Sequence, residues 1–376
     1  MADNTRSMRR EVRKPYSIAL ILVLLISSFN CKSPTGPPPD NTPPGKRDYV
    51  WSIDSVDYGN LPSTIQLYSI WGSSAKDVWG AGATPDVRDC LWHYNGLKWS
   101  RATEGTPITV SGNGSKIIDR VWGTDQNDVW AIGGRIFSNP EGQAPFVMHF
   151  DGTEWTEVTG TANDMPLGCT AIYGSAKDDF WVAELGDVVH YYHGTWTKFQ
   201  IGANMLSWGI TGYQGNVYVD AYDISSGGNR VVICRISNGK FSIDDQTTLT
   251  NSSGAYNGKF EPSKVWASGG KLYTVWHRIS MASVSGNGSV DQSSWQTIIT
   301  LPSGEYLVNT FNRTTKDFLA AGYPNLLYEY NGSDWQTIAI TVGGSVAPLG
   351  TLNGVWGDDN EMFVCDVDNG IVYHGR

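Results

Sequence analysis

Ile70-Trp71-Gly72-Ser73, followed by Asp77-Val78-Trp79, His93-Tyr94-Asn95-Gly96 and Trp99, decides the fold because it comes back. Val121-Trp122-Gly123-Thr124 leads to Asp128-Val129-Trp130, His149-Phe150-Asp151-Gly152 and Trp155. Ile172-Tyr173-Gly174-Ser175 leads to Asp179-Phe180-Trp181, Tyr191-Tyr192-His193-Gly194 and Trp196. Self-similarity at a period of about 40–50 residues marks a blade array. Each copy breaks into four short apolar runs separated by turn residues, which is strand spacing. Asn95-Gly96, Asp151-Gly152, Asn238-Gly239 and Asn331-Gly332 are tight-hairpin signals, since such turns need residues that tolerate positive φ. Four antiparallel strands repeated radially make a β-propeller.

The later copies are weaker. The fourth is anchored on Trp208-Gly209, Asn216-Val217-Tyr218 and Asn238-Gly239, and the fifth on Val265-Trp266, Leu272-Tyr273 and Trp295. The sixth has Phe311, Lys316-Asp317-Phe318, Tyr330-Asn331-Gly332 and Trp335. The seventh has Val355-Trp356-Gly357-Asp358, Met362-Phe363 and Val372-Tyr373-His374-Gly375, with no fourth strand after it. Ahead of the first copy stands an orphan, Tyr49-Val50-Trp51-Ser52-Ile53, with the look of a fourth strand. It is expected to complete the last blade and close the ring without a free edge. The expectation is an all-β, seven-bladed β-propeller over residues 48–376, with four antiparallel strands per blade.

Most of the sixteen Trp fall at fixed repeat positions, so they read as packing between blades. Asp77, Asp128, Asp179 and Asp317 recur once per blade. Spread round a ring they cannot converge on one ion, and a turn role, bonding local backbone groups, is expected. His93 and His149 share a slot just before a hairpin turn, and His193 and His374 read as lying on that turn, all in structural roles. No H-E-x-x-H, G-x-S-x-G, P-loop or spaced Cys pair occurs, so no catalytic residue, metal or cofactor is assigned.

The repeat W-G-[ST]-x-x-x-D-V-W…H-[YF]-[DN]-G-x-x-W resembles those of bacterial secreted and lipoprotein β-propellers over residues 48–376. It is loosely similar to tectonin-type, lectin-like propellers. The resemblance implies the fold and leaves the activity open. Asp151-Gly152-Thr153-Glu154-Trp155 matches a sialidase-type Asp-box only in part. The repeat of quinone-binding propellers has its elements in a different order.

Residues 1–30 read as an export signal: Arg6, Arg9, Arg10, Arg13 and Lys14, then an apolar run from Ile18 to Phe29. Cys31 follows at once, which resembles a bacterial lipoprotein signal and implies lipidation at Cys31. An ordinary secretory signal cleaved nearby is the alternative. Residues 31–47 form a Pro/Gly-rich tether. Lys32 after the Cys resembles outer-membrane sorting, with the leaflet left open. The net charge of −10 becomes about −13 once the leader is gone, which argues against a nucleic-acid partner. Cys90, Cys169, Cys234 and Cys365 fall at non-equivalent points and are expected as buried free thiols.

The turns joining first to second and third to fourth strands are short and uniform. The long segments, such as 82–89, 103–116, 135–144, 223–229 and 247–263, all belong to the opposite face. Variable loops on a rigid scaffold are where recognition sits. Candidate contacts are Arg88, Arg135, Phe137, Glu141, Tyr222, Tyr256, Tyr306 and Tyr323. The expected function is an exported, lipid-anchored, non-catalytic module whose partner is a glycan or an envelope protein. The alternatives are an envelope scaffold for membrane-protein complexes and a glycan-cleaving propeller enzyme.

Overall fold

The computed structural model describes residues 45–376 except 55, 57–64, 84–89, 111–113, 139–140, 161–163, 203, 226–228, 250–257 and 315; the side chains of 138 and 141 also lie outside it. Seven antiparallel sheets of four strands surround a central channel. The innermost strands are Gln66–Ser74, Ser115–Asp125, Ala171–Ala176, Met205–Tyr213, Lys264–Ser268, Tyr306–Thr314 and Leu352–Gly357. Each contributes residues to the channel wall, which encloses about 320 Å³. Ile108–Thr109 adds a parallel fifth strand to the outer edge of blade 2, against Trp155–Glu157.

The ring closes as the orphan strand predicts. Trp51–Asp54 pairs antiparallel with Ile371–Gly375, in the register Trp51↔Gly375 and Asp54↔Val372. Val50 and Arg376 exchange two further backbone hydrogen bonds, 2.9 and 3.0 Å. Residues about 320 apart in the chain thus share one blade, and its outer edge belongs to the N-terminal strand.

The Trp positions pack blade on blade. Trp79 of blade 1 meets Trp155 and Phe150 of blade 2 at 5.1 and 5.2 Å between ring centroids. Trp130 meets Phe180 and Tyr191 of blade 3 at 4.8 and 4.9 Å. The Trp-Gly pairs do something more specific. A β-carbon at Gly123 would strike Trp71, at Gly174 Trp122, at Gly212 Tyr173 and at Gly72 Trp356. Each glycine leaves room for the aromatic ring of the blade before it.

That series corrects the fourth copy. Thr211 pairs with Tyr218 as Trp71 pairs with Trp79, so Thr211-Gly212 fills the Trp-Gly slot. Trp208 lies three residues earlier, in a bulge between Ser207 and Gly209. Matching bulges place Tyr68, Asp119 and Asn353 at the same level of their inner strands. A bulge re-aims the extra residue, and here all four line the opening of the channel on the loop face.

The recurring Asp is also corrected. Its carboxylate bonds side chains across strands rather than turn backbone. Asp77, Asp128 and Asp179 accept from Ser73, Thr124 and Ser175 at 2.5, 2.6 and 2.9 Å. They contact His93, His149 and His190 at 2.6, 2.8 and 2.7 Å. Each His ring stacks on its blade's second-strand Trp at 4.1, 4.3 and 3.8 Å. The structural role expected for His93 and His149 therefore holds, and His190 shares it. His374 is not on a turn: it pairs with Phe363 in the same slot, fully buried between Asp54 and Glu361. In blade 6 the slot holds Glu329, and Arg313 replaces the Ser/Thr. The four Cys of the ring are buried free thiols, as expected.

Candidate functional site

The loop face carries the chemistry outside the repeat code. Among the described residues it gathers at strand ends. Tyr306 opens the inner strand of blade 6 and Tyr323 ends the next strand; they pair across the sheet and stack at 5.5 Å. Trp276, on the turn between Lys271–Val275 and Arg278–Ser283, stacks on Tyr306 at 6.0 Å. Two candidate tyrosines and an uncounted tryptophan thus form one partly exposed row across blades 5 and 6.

Beside the row lies a cavity of about 220 Å³ between blades 4 and 5, walled by Trp208, Tyr222, Leu249, Pro262, Trp276 and Glu261. Its lining is mainly apolar. Glu261 is buried, accepts the His277 backbone N–H at 2.9 Å, and has its carboxyl pushed up by burial. Tyr222 therefore sits on the loop face, as a cavity wall.

The remaining candidates fare differently. Arg135 and Phe137 belong to Asp128–Ser138, a strand paired with Glu141–Phe150 as far as Ser138↔Glu141, so residues 135–138 and 141–144 are strand and not the loop expected there. Arg135 is 7% exposed, bonds Glu157 at 2.7 Å and lies 5.3 Å from the Phe146 ring centroid. It is a packing residue, not a free contact. Phe137 lies against Gly114. The Glu141 side chain, Arg88, Tyr256 and Cys31 lie outside the described residues.

The channel mouth holds two cations that sequence reading passed over. Arg120 donates to the carbonyls of Thr170, Tyr68 and Asp119 at 3.1, 3.2 and 2.7 Å. Lys264 donates to the carbonyls of Thr170 and Trp208, both at 2.7 Å. Burial and the Arg120 charge push the Lys264 ammonium well below its ordinary value. Both residues stand two places before the repeat aromatic, where the other blades have Ser69, Ala171, Gly209, Asn309 and Gly354. A charged side chain in a small-residue slot was the available signal. For Trp208 the signal was spacing: it precedes Asn216 by eight residues, where Trp71, Trp122 and Tyr173 precede their Asp by six.

A further cleft of about 430 Å³ on blades 2 and 3 is lined by Asp119, Glu184 and Asp187 together with Lys198. Burial raises the carboxyls of Asp119 and Glu184. Each is nevertheless tied down: Asp119 accepts from Cys169 N–H at 2.9 Å, and Glu184 from Leu167 N–H at 2.6 Å and Lys198 at 2.7 Å. Among the described residues, no three His, Cys, Asp or Glu side chains gather as metal ligands would, and no helix is long and apolar enough to cross a membrane.

No family model and no curated protein matches the chain. Solved structures do. A structure described as YCF48 bound to D1 peptide aligns at TM-score 0.55 and 14% identity, covering 86% of this chain and 97% of that one. The extracellular domain of the putative hybrid two-component system BT4673 from B. thetaiotaomicron aligns at 0.59 and 16%, over 86% of this chain and 39% of that one. The WD40 propeller domain of Doa1 aligns at 0.53 and 9%, over 87% and 97%. At these identities the likeness is one of fold.

Proposed function

We propose that this chain is an exported, lipid-anchored, non-catalytic binding module that takes a glycan or a protein on its loop face. The observation that carries the reading is the row Trp276, Tyr306 and Tyr323 beside the cavity of Trp208 and Tyr222. Partly exposed aromatics that are not consumed by blade packing supply a large contact area at low entropic cost. Elsewhere in the ring, Asp77, Asp128 and Asp179 are bonded to the Ser or Thr and the His of their own blades. The propeller described as bound to D1 peptide shows that this architecture can take a polypeptide, and the extracellular propeller domain from B. thetaiotaomicron is in keeping with export. Anchoring through Cys31 predicts a lipid-labelled product that is lost in Cys31→Ser.

The test is binding to a glycan array and to a random peptide array, with the parent beside a folded variant carrying Trp276→Ala, Tyr306→Ala and Tyr323→Ala. Ligands held by the parent and lost by the variant support the reading. Silence on both arrays, or equal binding by both proteins, overturns it.

Glycan cleavage has one observation in its favour, the raised carboxyls of Asp119 and Glu184 in one cleft. It requires release of reducing ends from a polysaccharide by the parent and none by Glu184→Gln. The amide and Lys198 contacts that occupy these carboxylates favour a positioning role within the blade instead.

A further inference from the structure

Arg120 and Lys264 come from blades 2 and 5, yet both donate to one carbonyl, that of Thr170. Neither makes an ion pair with a described residue. The carboxylates near them are taken up elsewhere: Asp119 accepts from Cys169 N–H, and Asp220 from the N–H groups of Gly209 and Ser263. Donors remain unused. A guanidinium has five N–H groups and an ammonium three. Arg120 Nη2 makes no hydrogen bond to a described residue, and Lys264 spends two of its three. Both residues line the channel, Arg120 also lining its mouth and the buried Lys264 reaching the mouth carbonyls of Thr170 and Trp208. Two cations that share an acceptor repel one another, and an anion between them would relieve that repulsion. A guanidinium fork beside an ammonium suits a carboxylate.

The mouth and the apolar cavity are neighbours. Trp208 lines both: its carbonyl is bound by Lys264, and its side of the bulge forms a wall of the 220 Å³ cavity with Tyr222 and Trp276. A ligand reaching both would carry a carboxylate close to a bulky apolar group. A sugar would leave hydroxyls against Leu249 and Pro262 with little to bond, at the cost of unpaired polar groups. An apolar side chain meets these walls without that cost, the Glu261 carboxylate being bonded already by the His277 backbone N–H.

We propose that the loop-face mouth of the channel holds a carboxylate of a polypeptide ligand on Arg120 and Lys264, with an adjacent bulky apolar side chain of that ligand in the cavity of Trp208, Tyr222 and Trp276. This rests on the loop face being the binding face, and it narrows the ligand from glycan or protein to an acidic, apolar peptide segment.

The experiment uses the full chain in detergent and a random twelve-residue peptide library with free carboxy termini. Enriched peptides are remade as the free acid, as the terminal amide, and with each Asp or Glu changed to Asn or Gln. The expected result is enrichment of a bulky apolar residue beside a carboxylate. Loss of that one carboxylate should weaken binding tenfold or more, and the arms tell a side chain from a terminus. Arg120→Gln, which removes the charge and keeps a shorter, neutral amide donor, should weaken the free acid at least tenfold and leave the neutral analogue unchanged; Lys264→Met is the second variant. No enriched peptide, or enriched peptides that bind Arg120→Gln as tightly as the parent, overturns the anion site. If those same peptides are lost with Trp276→Ala, the loop-face reading survives that failure. Retention of uronate-bearing glycans with no peptide retained overturns the assignment to polypeptide.

Discussion

Trp122 packs against Gly174 of the next blade so closely that any side chain at Gly174 would strike its indole ring. The relation repeats round the channel, from Trp356 and Gly72 to Tyr173 and Gly212. The Trp-Gly pair is thus a contact between blades, with each half serving a different neighbour. Gly174→Ala should lower stability by about 1–3 kcal/mol, the usual cost of overpacking a filled site. Gly105→Ala, with open space around its would-be β-carbon, should stay within about 0.5 kcal/mol of the parent. Thermal unfolding of both variants checks the pair; equal effects would remove the packing explanation.

Asp128 is the buried member of the Ser/Thr-Asp-His series. Burial alone would raise its carboxyl, but hydrogen bonds from His149, Thr124 and Trp130 outweigh it and hold the group below its ordinary value. A depressed carboxyl contributes stability above its unfolded value, near 3.8, and loses it as pH falls through the folded value. Asp128→Asn should therefore cost about 1–3 kcal/mol at pH 7 and show a shallower fall in stability below pH 4. Denaturant titrations at pH 3, 4 and 7 measure the difference.

The ring, its period and its closing strand were legible because each rests on residues that recur: the Trp-Gly pair, the Asx-Gly turns and the orphan around Trp51. The fourth blade was misread because Trp208-Gly209 copies the motif while Thr211-Gly212 fills its place. The loop face was legible from the repeat, yet the side chains gathered on it were only partly so. Tyr222, Tyr306 and Tyr323 were found as aromatics outside the repeat. Arg135 failed because a strand ran on through the supposed loop. Arg120 and Lys264 were hidden inside the repeat itself. Their meaning comes from the channel, which brings together strands 144 residues apart in sequence.

Glu329 stands where blades 1, 2, 3 and 7 place a His, fully buried beside Asp317 and held by Arg313 at 2.8 Å and Arg47 at 3.2 Å. Burial, then the Asp317 charge, raises its carboxyl to about 7. A raised carboxyl contributes stability that is present below its unfolded value, near 4.5, and is lost as pH rises through the folded value. The melting temperature should fall between pH 4.5 and 7 by more in the parent than in Glu329→Gln. A parallel fall in both proteins would place the pH dependence elsewhere.

Closure through the N-terminal strand makes a sharp demand on truncation. A chain beginning at residue 45 keeps Trp51–Asp54 and should fold. A chain beginning at residue 56 exposes the edge of Ile371–Gly375 and strips Asp54 from His374. It should aggregate or melt far lower, because an unpaired edge recruits other strands. Size-exclusion chromatography of the two forms distinguishes the outcomes.

Arg135 and Tyr306 are both candidate contacts, and the structure gives them opposite settings. Arg135 is packed between Glu157 and Phe146 with its guanidinium out of water. Removing it takes a cation from the little-exposed Glu157 carboxylate and empties a packed site, so Arg135→Ala should destabilise the fold by about 2–4 kcal/mol. Any ligand affinity should survive once the measurement is made well below the lowered melting point. Tyr306 is partly exposed and stacked between Trp276 and Tyr323. Tyr306→Ala removes one contact from a surface row, so it should cost about 1 kcal/mol of stability or less. It should still weaken a loop-face ligand severalfold or more, since the row loses its middle member. Melting curves and binding isotherms on the two variants separate packing from recognition: Arg135→Ala should move the first and Tyr306→Ala the second.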